Sequence, residues 1–260
     1  MKRLSLFILI ALISIIGWTN PGFADIFTDG LKIYLPFDGD AEDQAGDPND
    51  GSEHDISYET GKFGEAASFN GSGSYILISP GINIGSSSFT VSFWFKTNDT
   101  DGYMLDAREG SDQGYYLISY PTPQNGIYFG AKGGTELQVH AYGYQDDEWH
   151  MATGVRDTAS DSLLLYIDGA LKESVSGDPG NLQDPSIYLG RRYTYTSGHN
   201  YHYYQGLIDD FRLYDRALDA DEVAALYRYN PVPVPASAML LLSGLAGLAG
   251  IKRLRLSKKS

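Results

Sequence analysis

Short runs in which large apolar residues alternate with polar ones recur along the middle of the chain, separated by Gly, Asn, Asp and Ser. Because side chains of a strand point alternately to its two faces, this period of two predicts strands. Turn formers at intervals of roughly ten residues are typical of an all-β sandwich or barrel. The predicted strands cover residues 31–37, 73–79, 88–97, 114–120, 126–131, 137–142, 148–155, 162–167, 170–174 and 186–192. We therefore expect a β-sandwich.

Two local signals predict one hairpin and one helix. Asp168-Gly169, between two alternating runs, is a dipeptide that favours a two-residue hairpin turn. Asp219 and Glu222 stand three residues apart, which is the spacing of a helix capping box. They precede three residues that share one helical face, namely Val223, Leu226 and Tyr227. We expect this helix to be the single one of the body.

The strand that leads into this helix carries an acid among apolar residues. Leu207, Asp209, Phe211 and Leu213 share one face of an extended chain, so we expect that face to point into the core. A carboxylate buried there costs several kcal/mol, roughly, unless something pairs with it. A cation, an Arg and a set of backbone N–H groups are all possible partners. The sequence therefore singles out Asp209.

The two ends of the chain differ from its middle. Residues 1–24 combine a basic start, an apolar stretch and small residues before a cleavage point, which predicts a secretory signal peptide. Residues 231–260 hold three prolines, an uncharged apolar stretch and a basic end. As a helix this stretch would span about 24 Å of a ~30 Å hydrocarbon core. We expect a C-terminal hydrophobic helix in a membrane, with its basic end cytoplasmic. Residues 25–230 form the predicted domain.

Charge and cysteine content exclude several classes of function. All 33 acidic residues lie between Asp25 and Glu222, and the net charge is −14. Such a surface repels the phosphates of nucleic acids and attracts cations. Without any Cys, the chain has neither a disulfide framework nor a thiolate metal site.

The tail VPVPASAMLLLSGLAGLAGIKRLR resembles the PEP-CTERM class of sorting signal in its V-P-x-P-A variant, with Val234 where the commoner form has Glu. The resemblance implies that the tail anchors the protein in the inner membrane transiently, until an exosortase recognises and cuts it in a Gram-negative cell envelope. The protein would then reach the outer surface or the extracellular matrix.

The body resembles the laminin-G-like, concanavalin A-like jelly-roll domains of bacterial extracellular proteins. The matching blocks are YLPFDGDAEDQAGDPNDG, GKFGEAASFNGSGSYILI, FTVSFWFKT, DEWHMATGVRD, LLLYIDGAL, YLGRR and QGLIDDFRLYDRALDADEVAALY. The resemblance implies an all-β, antiparallel two-sheet jelly-roll sandwich with one short C-terminal helix. It implies less about activity, because this fold serves many functions.

A structural calcium site is also implied by this resemblance. Its acids would be Asp38 and Asp209, brought together when the first and last strands pair, with backbone carbonyls near residues 70–71 completing the site. Such hard oxygen ligands suit Ca²⁺. In the alternative interpretation, Asp38 caps a turn and Asp209 pairs with Arg212 or Arg216.

A tyrosine-rich segment near residues 191–206 is the candidate ligand-binding loop. Tyr193, Tyr195, Tyr201 and Tyr203 would offer flat rings with hydroxyl groups, as sugar-binding platforms do. Alternatively, these rings cover an edge of the sandwich.

Nothing in the sequence predicts catalysis. The alternating Glu and Asp residues of jelly-roll glucanases are missing, as is a G-x-S-x-G elbow. His150 is expected to be a packed, hydrogen-bonded residue. His199 and His202 are three residues apart and lack a third metal ligand.

These features lead to one main hypothesis and two others. The first is an exported, surface-sorted, non-enzymatic module that binds carbohydrate or another extracellular polymer. The second is a structural or adhesion protein that acts through protein–protein contacts, and the third is a divergent polysaccharide-active enzyme.

Overall fold

The computed structural model describes residues 28–46, 49–79, 82, 84–109, 113–120, 125–183, 186–192 and 202–229. The predicted signal peptide and sorting tail lie outside these ranges. Within the described residues the chain forms fifteen strands and one helix: β1 (Leu31–Leu35), β2 (Gly51–His54), β3 (Ser57–Thr60), β4 (Glu65–Asn70), β5 (Tyr75–Ile78), β6 (Phe89–Lys96), β7 (Gly102–Glu109), β8 (Gln113–Tyr120), β9 (Gly126–Lys132), β10 (Glu136–Tyr142), β11 (His150–Asp157), β12 (Ser162–Ile167), β13 (Ala170–Ser176), β14 (Ile187–Leu189), β15 (Gln205–Tyr214) and α1 (Ala220–Arg228).

The strands form two antiparallel sheets, which confirms the predicted jelly-roll sandwich. One sheet has eight strands in the order β13-β12-β11-β6-β15-β4-β3, with β1 also paired to β15. The other has seven, in the order β10-β9-β8-β7-β14-β5-β2. Neighbours in each sheet are often distant in sequence, so crossovers between the two sheets close the sandwich. Strands β2, β3, β4 and β7 were not predicted from the sequence.

Large apolar side chains from both sheets fill the space between them. Phe93 of β6 lies 6.1 Å from Phe211 of β15, and Phe89 lies 4.6 Å from Tyr115 of β8, measured between ring centroids. A second apolar cluster lies on the outer face of the eight-stranded sheet, where α1 packs over Trp94. Strand β6 therefore buries alternate residues in different clusters, because both of its faces are covered.

The predicted hairpin and helix cap are both confirmed. Asp168 and Gly169 have φ values of +56° and +73°, as a type I′ turn requires at its two central positions. Asp219 accepts a hydrogen bond from the Glu222 backbone N–H, and Glu222 accepts one from the Asp219 N–H, each at 2.9 Å. These two donors would otherwise be unsatisfied at the start of α1.

A β-bulge in β15 overturns the predicted facing of this strand. Ile208, Phe211 and Leu213 lie in the core between the sheets, whereas Leu207 and Asp209 do not. The register with β6 shifts between Asp209 and Arg212, and Asp210 has a φ of +58°. The predicted facing is confirmed for Phe211 and Leu213 and is wrong for Leu207 and Asp209, because strict alternation assumes a strand without an inserted residue.

Within the described residues, no helix has the length and apolar character that crossing a membrane would require.

Deleting residues 231–260 is expected to leave a folded domain. Among the described residues, the buried apolar side chains of both clusters lie between Ile33 and Leu226, and we expect the tail to add nothing to this core. Circular dichroism and thermal melting of the truncated protein would measure this. A non-cooperative transition in the truncated protein, alongside a cooperative one in the full chain, would contradict the predicted domain boundary.

Candidate functional site

The pairing of the first and last strands brings the two predicted metal ligands to the same end of the sandwich. Strand β1 runs antiparallel to β15, with Leu35 opposite Phe211. Asp38 follows β1 by three residues, and Asp209 precedes Phe211 by two. Both carboxylates bind the same short segment, residues 61–65, which we call the GKFGE loop after its sequence.

Asp209 is completely buried, and only one of its two carboxylate oxygens accepts a hydrogen bond. Its Oδ2 accepts a hydrogen bond of 2.9 Å from the Phe63 backbone N–H, while its Oδ1 is buried without a hydrogen-bond partner. Burial raises the pKa of the Asp209 carboxyl to about 8, and the nearby charges of Asp210 and Asp38 act in the same direction. The backbone N–H groups of the loop oppose this rise in pKa. An ionised Asp209 is therefore unfavourable in the structure as it stands.

Asp38 is exposed and caps the other side of the loop. Its Oδ1 accepts a hydrogen bond of 2.9 Å from the Glu65 backbone N–H. Gly64 has a φ of +56°, and a Cβ on this residue would overlap Asp38 Oδ1. The glycine is thus required both by the backbone conformation and by the close approach of the carboxylate.

The residues present fit a cation in part. The orphaned Asp209 Oδ1 and the neighbouring Asp38 supply oxygen atoms suited to Ca²⁺. The carbonyls expected near residues 70–71 are elsewhere, because β4 pairs Asn70 with Gln205, four residues along β15 from Asp209 and so about 13 Å away. No group of three or more acidic, His or Cys residues among the described residues could hold a metal. Carbonyl or water oxygens would have to complete the site.

Neither arginine of the alternative interpretation pairs with Asp209. Arg212 forms a buried ion pair with Asp210, the bulge residue. Arg216 pairs with Glu222 at 2.8 Å and with Asp29 at 3.1 Å. The part of that interpretation in which Asp38 caps a turn matches its hydrogen bond to the GKFGE loop.

Three of the four tyrosines predicted for the ligand-binding loop are not among the described residues. They are Tyr193, Tyr195 and Tyr201. Tyr203 is half-buried and forms a single parallel bridge with Tyr103 of β7. The following residue, Tyr204, is fully buried and packs edge-on against Phe69 at 5.8 Å. The described end of this segment therefore bridges to the seven-stranded sheet at Tyr203 and enters the core between the sheets at Tyr204.

The outer face of the seven-stranded sheet carries many aromatic rings, which the sequence analysis did not single out. We call it the aromatic face. It is formed by residues that alternate with core residues on six strands: Tyr75, Tyr103, Tyr116, Tyr128, Tyr188 and His140. Their alternation with buried Ile, Leu, Phe and Ala in the predicted strands was the available signal.

A buried ion pair lies at the centre of the aromatic face. Arg108 Nε donates to Asp106 Oδ1 at 2.7 Å, and both side chains are almost fully buried. The guanidinium lies 4.1 Å from the Tyr116 ring centroid and 5.3 Å from that of Tyr103. Burial lowers the pKa of Arg108, but the charge of Asp106 outweighs it and the net pKa is raised. The central acid of this face is thus neutralised by its neighbour.

An open cleft borders the aromatic face at the side of the sandwich. We call it the edge cleft. It has a volume of about 420 Å³ and lies where edge strand β10 of one sheet approaches edge strand β13 of the other. Its lining residues are His140, Ala141, Tyr142, Tyr144, Lys172 and Glu173. Sequence reasoning missed it because it depends on two strands of different sheets.

The histidines occupy hydrogen-bonded positions. His150 Nδ1 lies 2.8 Å from Asp168 Oδ2, and its ring packs against Tyr144 with centroids 5.0 Å apart. This confirms the packed, hydrogen-bonded role predicted for His150. His202 Nδ1 lies 2.9 Å from Asp101 Oδ1, and His199 lies outside the described residues.

The family model for the concanavalin A-like lectin/glucanases superfamily matches residues 70–224 of the chain. No curated protein matches the chain.

Three similar solved structures are binding domains or domains with a bound sugar. The binding domain of Paraclostridial Mosquitocidal Protein 1 is 18% identical, with a TM-score of 0.63 over 77% of this chain and 52% of that one. The botulinum neurotoxin serotype C1 binding domain is 15% identical, with a TM-score of 0.61 over 77% and 52%. Domain 4 of AbnA, a GH43 extracellular arabinanase from Geobacillus stearothermophilus, was solved in complex with arabinotriose. It is 21% identical, with a TM-score of 0.60 over 76% and 98%.

At these identities the likeness is one of fold. The chain spans about half the length of the toxin binding domains and nearly all of the arabinanase domain.

Proposed function

The chain belongs to the concanavalin A-like lectin/glucanases superfamily, and we propose that it is an exported, non-enzymatic module that binds carbohydrate or another extracellular polymer. The aromatic face carries this proposal. Its partly exposed tyrosines, such as Tyr103 and Tyr128, offer flat apolar surface and hydroxyl groups together, which suits the apolar face and hydroxyl rim of a sugar. The similar arabinanase domain was solved with bound arabinotriose, which supports neutral polysaccharides as the first ligands to test.

A binding role without turnover fits the acids of this face. Glycoside hydrolysis requires two carboxyl groups on either side of the scissile bond, one of them able to give up a proton. On the aromatic face, Asp106 is engaged by Arg108 in a buried pair, and Glu136 accepts a hydrogen bond of 2.8 Å from the Tyr116 hydroxyl. The sequence lacks the glucanase strand motif. Several solved structures of this fold are binding domains, which supports the same view.

We propose a structural calcium ion held by Asp38 and Asp209. The orphaned Asp209 Oδ1 supports this proposal, because a buried carboxylate oxygen without a donor is stabilised by a cation. When bound, the ion would supply positive charge beside the GKFGE loop. The loop is already attached to both acids through backbone N–H groups, so the ion would hold the first and last strands together.

Export and sorting form the remaining part of the proposal. Residues 1–24 would direct secretion, and residues 231–260 would hold the chain in the inner membrane until an exosortase-type enzyme acts on it. The protein would then reside at the cell surface or in the extracellular matrix of a Gram-negative bacterium. Fusing residues 231–260 to an exported reporter should retain the reporter at the envelope, and a freely released reporter would contradict this assignment.

Electrophoresis of the protein through gels that contain a neutral polysaccharide tests the binding function. We expect slower migration than in a plain gel, with no reducing ends released on long incubation. Because rings and not charges would carry the contact, retardation should change little with added salt. An unrelated acidic protein serves as the control. If no polysaccharide retards the chain while a protein partner does, the function is adhesion through protein contacts.

The tyrosine loop can be tested in the same gels. Replacing Tyr193 and Tyr201 by Ala is expected to weaken retention, since each lost ring removes apolar contact area with the sugar. Calcium-dependent melting should be unaffected. A double variant that is retained as strongly as wild type would show that these tyrosines are scaffold.

A further inference from the structure

The edge cleft combines exposed rings with fixed polar groups. Tyr128 and His140 stack with ring centroids 5.3 Å apart and planes inclined by 20°. The Tyr142 ring centroid lies 4.9 Å from that of His140, and 43% of the surface of Tyr142 is exposed. The three rings form a ledge that runs from the aromatic face to the rim of the cleft. Tyr142 is the solvent-exposed end of that ledge.

Glu173 joins the two sheets across the cleft. Its Oε2 accepts a hydrogen bond of 2.7 Å from the His140 backbone N–H and lies 2.9 Å from His140 Nδ1. The first contact satisfies an edge-strand donor that would otherwise face solvent. Both contacts use Oε2, which leaves Oε1 as an acceptor for a ligand. The carboxylate is therefore held in place before any ligand arrives, and this lowers the entropy lost on binding.

The charges of the cleft select against strongly charged ligands. Lys172 lies beside Glu173 in sequence, and its Nζ is 5.6 Å from the Tyr144 ring centroid. The cleft thus holds one cationic and one anionic side chain in a chain of net charge −14. A polyanion would be repelled by the protein as a whole, and a polycation would meet only one carboxylate in the cleft. Neutral ligands with many hydroxyl groups are the remaining class.

We propose that the edge cleft is a binding subsite for a neutral polysaccharide chain, with a sugar ring stacked on Tyr142 and its hydroxyls bonded by Glu173 and Lys172. This inference rests on the proposed function and locates its binding site at the edge cleft. Tyr142 and Lys172 are exposed, so the cleft is open to solvent and admits an internal segment of a polymer as well as its end. Its volume of about 420 Å³ lies in the range of ligand pockets.

Affinity gels with the full-length chain test the subsite directly, using arabinan, a mixed-linkage glucan and galactomannan, with polygalacturonate as the polyanion. We expect wild type to be retarded by at least one neutral polymer. The Tyr142→Ala variant should bind that polymer with a dissociation constant about tenfold higher or more, which is the scale of one lost stacking contact. Tyr142→Trp, which keeps a flat ring, should stay close to wild type. Leu171→Ala is the matched control, because Leu171 is equally exposed on β13 but does not line the cleft.

Each outcome is distinguishable from the others. Melting curves establish that Tyr142→Ala is folded, which is expected since its ring is exposed. If Tyr142→Ala is retarded as strongly as wild type, the subsite is overturned and the binding function stands. If wild type is retarded by none of the four polymers, the proposed carbohydrate binding and the subsite both fail. If polygalacturonate alone retards wild type, the charge argument and the subsite are wrong.

Discussion

Calcium is expected to raise the melting temperature of the wild-type protein at about pH 8 and to leave that of Asp209→Asn unchanged, because a ligand bound by the folded state alone stabilises it by mass action. Asn has the same shape as Asp and can still accept the Phe63 N–H, but it has no charge to attract a cation. Asp38→Asn should reduce the response, since it removes the second carboxylate. Melting curves with added calcium and with EDTA measure the effect. If EDTA leaves the wild-type curve unchanged, the calcium proposal fails.

The pH dependence of the same pair of proteins supplies a second measurement. Burial raises the pKa of Asp209 to about 8 in the folded protein, whereas an unfolded Asp has a pKa of about 3.9. Between these values the folded state binds more protons than the unfolded state, so its stability falls as the pH rises. In EDTA, wild type should therefore melt at a lower temperature at about pH 8.5 than at pH 5.5, relative to Asp209→Asn. If the melting temperatures of the two proteins change with pH in parallel, protonation of Asp209 does not contribute to the pH dependence of stability.

Replacing Arg212 by Met is expected to lower the free energy of unfolding by about 3–5 kcal/mol, because it leaves the buried Asp210 without its counter-charge. The guanidinium also lies 4.4 Å from the Tyr34 ring centroid, and that contact is lost as well. In a domain of this size the loss corresponds to about 6–20 °C of melting temperature. Denaturant unfolding measures the free energy directly.

Two further variants test the cause of this loss. Arg216→Met removes a partly exposed pair with Glu222 and should cost about 1 kcal/mol or less. The double variant Asp210→Asn with Arg212→Met should recover part of the stability, since Asn tolerates the positive φ of this position. Equal losses in the two single arginine variants would contradict the importance of the buried pair.

Features encoded within a few residues were predictable from the sequence. The Asp168-Gly169 turn and the Asp219–Glu222 capping box depend on neighbours in the chain, and both form as expected. Strand β12 was predicted with the bounds that it has in the structure, because its apolar run is bordered by turn residues. Local chemistry decides these elements before any tertiary contact forms.

Features that depend on distant contacts were harder to predict. Strand β7 contains the charged residues Asp106 and Arg108, and their burial depends on another strand, since the Tyr116 ring of β8 lies 4.1 Å from the Arg108 guanidinium. The bulge at Asp210 reversed the facing of Asp209, and the loop that receives Asp209 lies almost 150 residues earlier in the chain. The pairing of the two terminal strands was predicted from the family resemblance, but the loop contacts of the two acids were not.

The pairing of β1 with β15 has a consequence for how the folded protein bears load. Leu31, the first residue of β1, lies opposite Tyr214, the last residue of β15. The segments that lead to the two ends of the domain therefore leave this antiparallel ladder at the same end. Once α1 has come off the outer face of the sheet, a force applied between the two ends of the domain would separate the β1–β15 ladder one residue pair at a time. If the chain is fixed at one end and bound at the edge cleft, the pull bypasses this pair. A binding module attached to a surface by its tail would thus resist detachment better than the same module stretched between its two ends.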